Sequence, residues 1–279
     1  MHLKRKKFWI WFTSIFLGIA LLCTGTFLLT RLSTVNVEFR SKLGVAETRL
    51  AEGITEKIKT SGEFDYGACL LFTNFDESVQ KIEKANPYVK VEQILRKFPN
   101  KLNVYVSERV PRYRIQDKTI ETKWYILDIE FKVLEVIDDL DSSALKAETI
   151  ELEHIKESLY VGDFLNNNAE LQNMSQVVAG VYGRTKDCTV IGSINHDTQN
   201  NTFYISMKAN KDGKYEGGCV MQIEGIDNLK DKVYAATCCY CQDNTINGES
   251  IDMSKKVIII VDGENGTYEG KMKNQEEQE

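Results

Sequence analysis

The sequence predicts an α+β protein. One membrane-spanning helix leads into a small strand–helix–helix–strand–strand unit and then a larger mixed sheet with two helices. Three observations predict it. A 23-residue stretch without charge, FWIWFTSIFLGIALLCTGTFLLT, follows a basic tip. All three prolines fall in NPYVKVEQILRKFPNKLNVYVSERVP, residues 86–111 of 279, around two alternating apolar runs. Downstream, two series of apolar residues at helical spacing sit among several short alternating runs.

The tip, residues 1–7, carries Lys4, Arg5, Lys6 and Lys7, and no acidic residue precedes Glu38. Residues 8–30 form the uncharged stretch. At about 1.5 Å per residue it is long enough for a hydrocarbon core of roughly 30 Å. The basic cluster predicts a cytoplasmic N-terminus, and Trp9 and Trp11 suit the headgroup level. A cleaved signal peptide is the competing reading. Its apolar core is usually shorter, and no small-x-small site follows this one. Leu22 before Cys23 likewise argues against a lipid-modified cysteine.

The small unit is predicted over residues 33–108. Val35, Val37 and Phe39 alternate as in a half-buried strand. Leu43, Ala46, Leu50, Ile54 and Ile58 follow helical spacing, and TNFD (73–76) has the form of a capping box for a second helix. Pro87 stops that helix because it lacks an amide proton and its ring clashes with the preceding turn. A strand from Val89, a turn at FPNK and the alternation of Leu102, Val104 and Val106 complete the unit, and Pro111 ends regular pairing.

The larger unit is predicted over residues 109–263. KWYILDIEFKVLEVI reads as a hairpin, and Leu171, Met174, Val177, Val178 and Val181 mark a helix. CTVIGSI, NTFYISMK and GCVMQIE read as strands. Leu229, Val233, Ala236 and Tyr240 share one face of a helix, and KKVIIIV is the closing strand. That last run suits an edge strand or, being continuously apolar, an interior one. Residues 264–279, polar and charged, read as a disordered tail.

The net charge is −6, and outside the tip 31 basic residues face 41 acidic ones. That balance argues against a general nucleic-acid surface. No phosphate loop, metalloprotease helix or nucleophile elbow is present, so catalytic, cofactor and metal residues are expected to be absent. His154 and His196 lie far apart in sequence. Cys238 and Cys241 form a C-x-x-C, but at a helix end rather than the start, where the dipole would favour a thiolate. Small residues near a helix terminus, or a disulfide to Cys188 or Cys219, are the remaining readings.

Taken in order, these features resemble the FtsQ/DivIB family of bacterial division proteins, single-pass proteins with an exported POTRA domain and then a β domain. Pro87, Val89, Arg96, Pro99, Leu102, Glu108 and Arg109 fall on the family's P-x-V … R-x-x-P-x-x-L … E-R-x-P pattern. Asp128 in WYILDIEFKVLEV, then Lys232, Asp252 and the strand Val257–Val261, continue it. The glycine usual after the first POTRA strand is missing, although Gly44 is near, and Phe131 stands near the place of a turn glycine. Exported cysteines are also unusual for the family.

The resemblance implies a non-enzymatic scaffold at the division septum, coupling septum formation to wall synthesis. It implies FtsL-like and FtsB/DivIC-like coiled-coil partners near the final strand (Val257, Ile258, Ile259, Ile260, Val261) and the preceding helix with Tyr240. By the same resemblance the POTRA unit contacts other division proteins, and neither nucleic acid nor a small-molecule substrate is involved. The alternatives are a membrane-anchored extracytoplasmic sensor or ligand-binding protein, and an exported thiol-redox or metal-binding protein.

Overall fold

The computed structural model describes residues 2–40, 50, 52–140, 144–166, 168–208, 218–241, 245–246, 249–250, 256–262 and 266–274. The chain divides into two units, with the break between Arg109 and Val110.

The first unit begins with helix α1 (His2–Leu29). Its segment Trp11–Leu29 is, among the described residues, the one helix long and apolar enough to cross a membrane. The hydroxyls of Thr13, Thr24 and Thr26 donate to carbonyls one turn back, so these polar groups are satisfied inside the helix.

Almost no linker follows α1. The Leu70 amide donates to the Thr30 carbonyl at 3.0 Å, and the Leu32 amide to the Ala68 carbonyl at 2.9 Å. Ser33 donates to the Asn100 carbonyl through its amide, at 2.9 Å. Two loops of the folded unit are thereby bound to residues 30–33.

Strands β1 (Thr34–Phe39), β2 (Val89–Lys97) and β3 (Lys101–Glu108) form a sheet in the order β1-β3-β2. β1 runs parallel to β3, and β2 and β3 are an antiparallel hairpin. Leu102, Val104 and Val106 are fully buried with Ile58 of α2 (Ile54–Ser61), Ile82 of α3 (Asp76–Ala85) and Val89. The period-2 alternation therefore builds the core as expected.

Two local expectations differ. The reading of a helix from Leu43 falls partly on residues outside those described; the helix seen starts at Ile54. TNFD forms no capping box, since Phe75 occupies the N-cap position. The Thr73 hydroxyl instead donates to the Cys69 carbonyl at 2.8 Å, and the Asn74 side chain accepts from the Asp76 amide at 3.0 Å. Asn74 outcompetes the threonine because its short amide closes a turn with the residue two ahead.

The second unit holds β4 (Tyr113–Asp117), β5 (Trp124–Leu127), β6 (Val133–Ile137), α4 (Leu145–Glu148), β7 (Ile150–Glu157) and α5 (Asn168–Thr185). Next come β8 (Ile191–Asp197), β9 (Thr202–Met207), β10 (Val220–Glu224) and α6 (Leu229–Tyr240). A two-residue hairpin, β11 (Thr245–Ile246) and β12 (Glu249–Ser250), precedes β13 (Lys256–Asp262) and β14 (Tyr268–Asn274). Nine strands make one sheet in the order β14-β13-β10-β9-β8-β7-β4-β5-β6.

Helices α5 and α6 contribute Met174, Val177, Val181, Leu229, Val233 and Ala236 to the core that covers this sheet. They cross closely at Gly180. A methyl group there would lie 2.8 Å from the Lys230 carbonyl oxygen and from Val233 Cβ.

One open reading is decided here and another corrected. Val257–Val261 is the interior strand of the two alternatives, because β13 lies between β10 and β14. The stretch read as a disordered tail from residue 264 contains β14, paired antiparallel with β13 from Asp262↔Tyr268 to Lys256↔Asn274. Its Tyr268, Gly270 and Met272 are half-buried while Glu269, Lys271 and Lys273 are exposed. That is the alternation of a strand with one packed face.

Candidate partner-binding edge of the large sheet

The two ends of the nine-stranded sheet are treated differently by the chain. At the β6 end, a loop closes over the start of the strand. Val133 donates to the Asp163 carbonyl at 2.8 Å, Gly162 to the Val133 carbonyl at 2.9 Å and Leu165 to the Phe131 carbonyl at 3.0 Å. At the β14 end, no further strand is paired among the described residues. An uncovered edge offers a row of backbone donors and acceptors, and exposed charge such as Lys271 and Lys273 keeps it from pairing indiscriminately.

Helix α6 sits beside that edge. Leu229, Val233, Ala236, Thr237, Cys239 and Tyr240 are buried against the sheet. The approach to β14 depends on Gly270, since a Cβ there would lie 2.7 Å from Cys239 Cβ, 3.0 Å from the Ala235 carbonyl oxygen and 3.1 Å from Ala236 Cα. Between the helix and the edge strand runs a groove of about 670 Å³, lined by Asp231, Tyr234, Cys238 and the chain from Gly266 to Gly270.

Tyr268 is fixed at the head of the groove. Its hydroxyl accepts from Asn228 Nδ2 at 3.0 Å, and Lys232 Nζ stands 5.7 Å from its ring centre. Lys232 also donates to the Glu224 carbonyl at 2.7 Å, which ties the start of α6 to the end of β10.

The residues expected to hold partners are thus distributed over three environments. Ile258 and Ile260 face α6 with Met272, and Ile258 is fully buried. Val257, Ile259 and Val261 alternate onto the other face, with Ile259 paired beside Gln222 and Lys271. Tyr240 is buried in the core and is not on the groove. Sequence reading missed Tyr268, Gly270 and Tyr234. The signal available was Tyr-x-Gly-x-Met, a period-2 pattern weakened by the glycine that the helix requires.

The other motif residues are structural. Val89 and Leu102 are buried in the first unit's core. Arg96 donates to the Thr73 carbonyl at 2.7 Å, and Glu108 pairs with Val89 in the hairpin. Pro87 follows α3 directly beyond Asn86, and Pro99 lies in the β2–β3 turn. Arg109 pairs with Glu83 at 3.0 Å. Asp252 lies outside the described residues.

Asp128 accepts from the amides of Glu130 and Lys132, both at 2.9 Å, and so shapes the β5–β6 turn. Phe131 in that turn has φ 61°, the left-handed region where a glycine would be at ease. Such a backbone costs roughly 1–2 kcal/mol for an L-residue. The Phe131 ring offsets this by stacking on Tyr113 at 4.6 Å inside the core.

All seven cysteines are free thiols. Burial pushes the Cys219 thiol up to about 12 and raises Cys188 and Cys239 as well. Such thiols hold their protons and are poor nucleophiles.

The folded chain brings His154 and His196 together, which no sequence spacing announces. Glu170 Oε1 lies 2.9 Å from His154 Nε2 and 2.7 Å from His196 Nδ1. His196 stacks on Phe203 at 4.0 Å, and its Nε2 is 3.3 Å from Asn201 Oδ1. The carboxylate bonds His196, tying α5 to β8, and lies against His154 of β7. Desolvation lowers the His154 pKa, with the neighbouring His196 acting in the same direction against Glu170.

Protonation of His154 therefore costs more in the folded than in the unfolded chain. Below the usual histidine pKa of about 6.5 the unfolded state binds the extra proton, so stability falls as pH drops from there towards the depressed folded value. Chemical denaturation between pH 7.5 and 5 should show this decline, at most about 1.4 kcal/mol per pH unit for one group. A His154→Gln variant should flatten it; an unchanged slope would assign the effect elsewhere.

Comparison with known proteins agrees with the fold of the first unit. Residues 54–109 match the family model described as POTRA domain, FtsQ-type. A cell division protein DivIB from Clostridium tetani (strain Massachusetts / E88) is 29% identical over 119 residues, 42% of this chain and 42% of that protein. The match thus spans less than half the length of the curated relative. The chain thus carries an FtsQ-type POTRA domain over residues 54–109, behind an apolar N-terminal helix, and is similar to a DivIB over 42% of its length.

Proposed function

We propose that the protein is a non-enzymatic scaffold of the bacterial division machinery. Helix α1 anchors it in the cell membrane with the basic tip in the cytoplasm, and both folded units lie outside. The β14 edge beside the α6 groove, with no further strand paired to it among the described residues, carries the reading. A partner segment adds a strand to β14 through backbone hydrogen bonds, and its side chains enter the groove near Tyr234 and Tyr268. The partners are other division proteins of the FtsL-like and FtsB/DivIC-like coiled-coil kind, and the assembly couples septum formation to wall synthesis.

A fluorescent fusion should concentrate at the septum of dividing cells, and depletion should give filaments. A uniform membrane signal in dividing cells, with normal division on depletion, would reject the reading.

A further inference from the structure

We propose that the end of the POTRA unit next to α1 is a lipid-docking surface, which rests on the reading that α1 spans the membrane. The residues that leave the span are hydrogen-bonded at once to two loops, as described above. Leu70 is held to Thr30, one residue beyond the apolar segment, and the β2–β3 turn is held to Ser33 through Asn100. These loops carry large apolar side chains that the core does not use. Phe72 is 83% exposed, Phe98 60%, Tyr66 55% and Leu71 44%.

Four exposed apolar side chains on two loops that converge at a membrane exit have one natural solvent, the interfacial layer of the same bilayer. Aromatic side chains are favoured at that depth. The surrounding charge fits anionic headgroups. Arg31, Lys97 and Lys101 are exposed around the two loops; the acidic residues of the first are Asp65 and Glu63, the latter paired with Lys81 at 2.6 Å. Juxtamembrane cations of this kind are attracted to an anionic surface.

Arg96 makes the two loops one surface. It reaches from β2 to the Thr73 carbonyl at 2.7 Å and lies over the Phe75 ring at 5.4 Å. The surface holds the unit against the bilayer, so the POTRA sheet is oriented by three attachments: the helix and two apolar loops.

The test uses the full chain in vesicles containing phosphatidylglycerol, with Trp9, Trp11 and Trp124 replaced by Phe. Single tryptophans are introduced as Phe72→Trp, Phe98→Trp or Phe39→Trp. Phe39 ends β1, five residues from Thr34 and so about 17 Å farther along the strand. The reporters at 72 and 98 should lose emission to lipids brominated on the upper acyl chain and resist aqueous acrylamide. The reporter at 39 should do the reverse. Equal acrylamide quenching at all three positions, with no effect of brominated lipid, overturns the docking surface while leaving the anchor intact. A chain that fails to float with the vesicles removes the anchor and the docking surface with it.

Discussion

Replacing Gly270 with valine is expected to unseat α6 from the edge of the large sheet. The new side chain would meet Cys239 Cβ, the Ala235 carbonyl and Ala236 Cα, all within 3.1 Å of its Cβ alone. Two of those atoms are helix backbone and cannot swing aside, so either α6 lifts or β14 leaves the sheet. Overpacking of this kind costs about 1–3 kcal/mol and more where backbone must move. We expect a loss of about 3 kcal/mol in the unfolding transition of the second unit. Amide exchange should accelerate in α6 and β14, and partner capture should be lost. Gly270→Ala should show a smaller loss in the same segments. Wild-type stability and exchange in the valine variant would mean that the close contact is not required.

Arg109→Ala is expected to have the largest effect in the POTRA unit. Its guanidinium is buried, 3.0 Å from Glu83 Oε2, with Nε 3.4 Å from the Val89 carbonyl. Glu83 Oε1 meanwhile accepts from the Val91 amide at 2.9 Å. The pair therefore joins α3, the first turn of β2 and the end of β3. Removing one member of such a buried pair costs about 3–5 kcal/mol, because the remaining charge keeps its desolvation without its counter-charge. Replacing both, as Glu83→Leu with Arg109→Met, should recover much of that loss. Denaturation followed by a probe in residues 54–109 would read both results. An additive double variant would show that the charges do not act as a pair.

How much of this was legible in the sequence depended on whether side-chain pattern or backbone proximity did the work. The β2–β3 hairpin was legible because Leu102, Val104 and Val106 alternate without interruption and all point into the core. Helix α6 was legible because Leu229, Val233, Ala236 and Tyr240 recur at helical spacing and are all buried. Strand β14 was not, because the position nearest the helix had to be glycine and its neighbours are lysines and glutamate. Composition there looks like a tail while geometry makes an edge.

The position of β13 could not be read either. A continuous apolar run reports burial on both faces, and only the existence of β14 decides that β13 is interior. Phe131 shows the opposite case. Its left-handed backbone follows from the turn that Asp128 holds, and the residue type is explained by a ring stack that no spacing reveals. The contact of Glu170 with both histidines is invisible for the same reason, since β7, α5 and β8 meet only in the folded sheet.

The central claim is that the β14 side of the large sheet, and not its β6 side, receives a partner. Site-specific photocross-linking in dividing cells tests it most directly, with the reactive residue placed at Lys271 on β14 or at Glu135 on β6. The proposed function predicts a division-protein adduct from Lys271 that disappears in the Gly270→Val variant, and none from Glu135. Adducts from Glu135 alone, or from neither position in cells that are actively dividing, would contradict it.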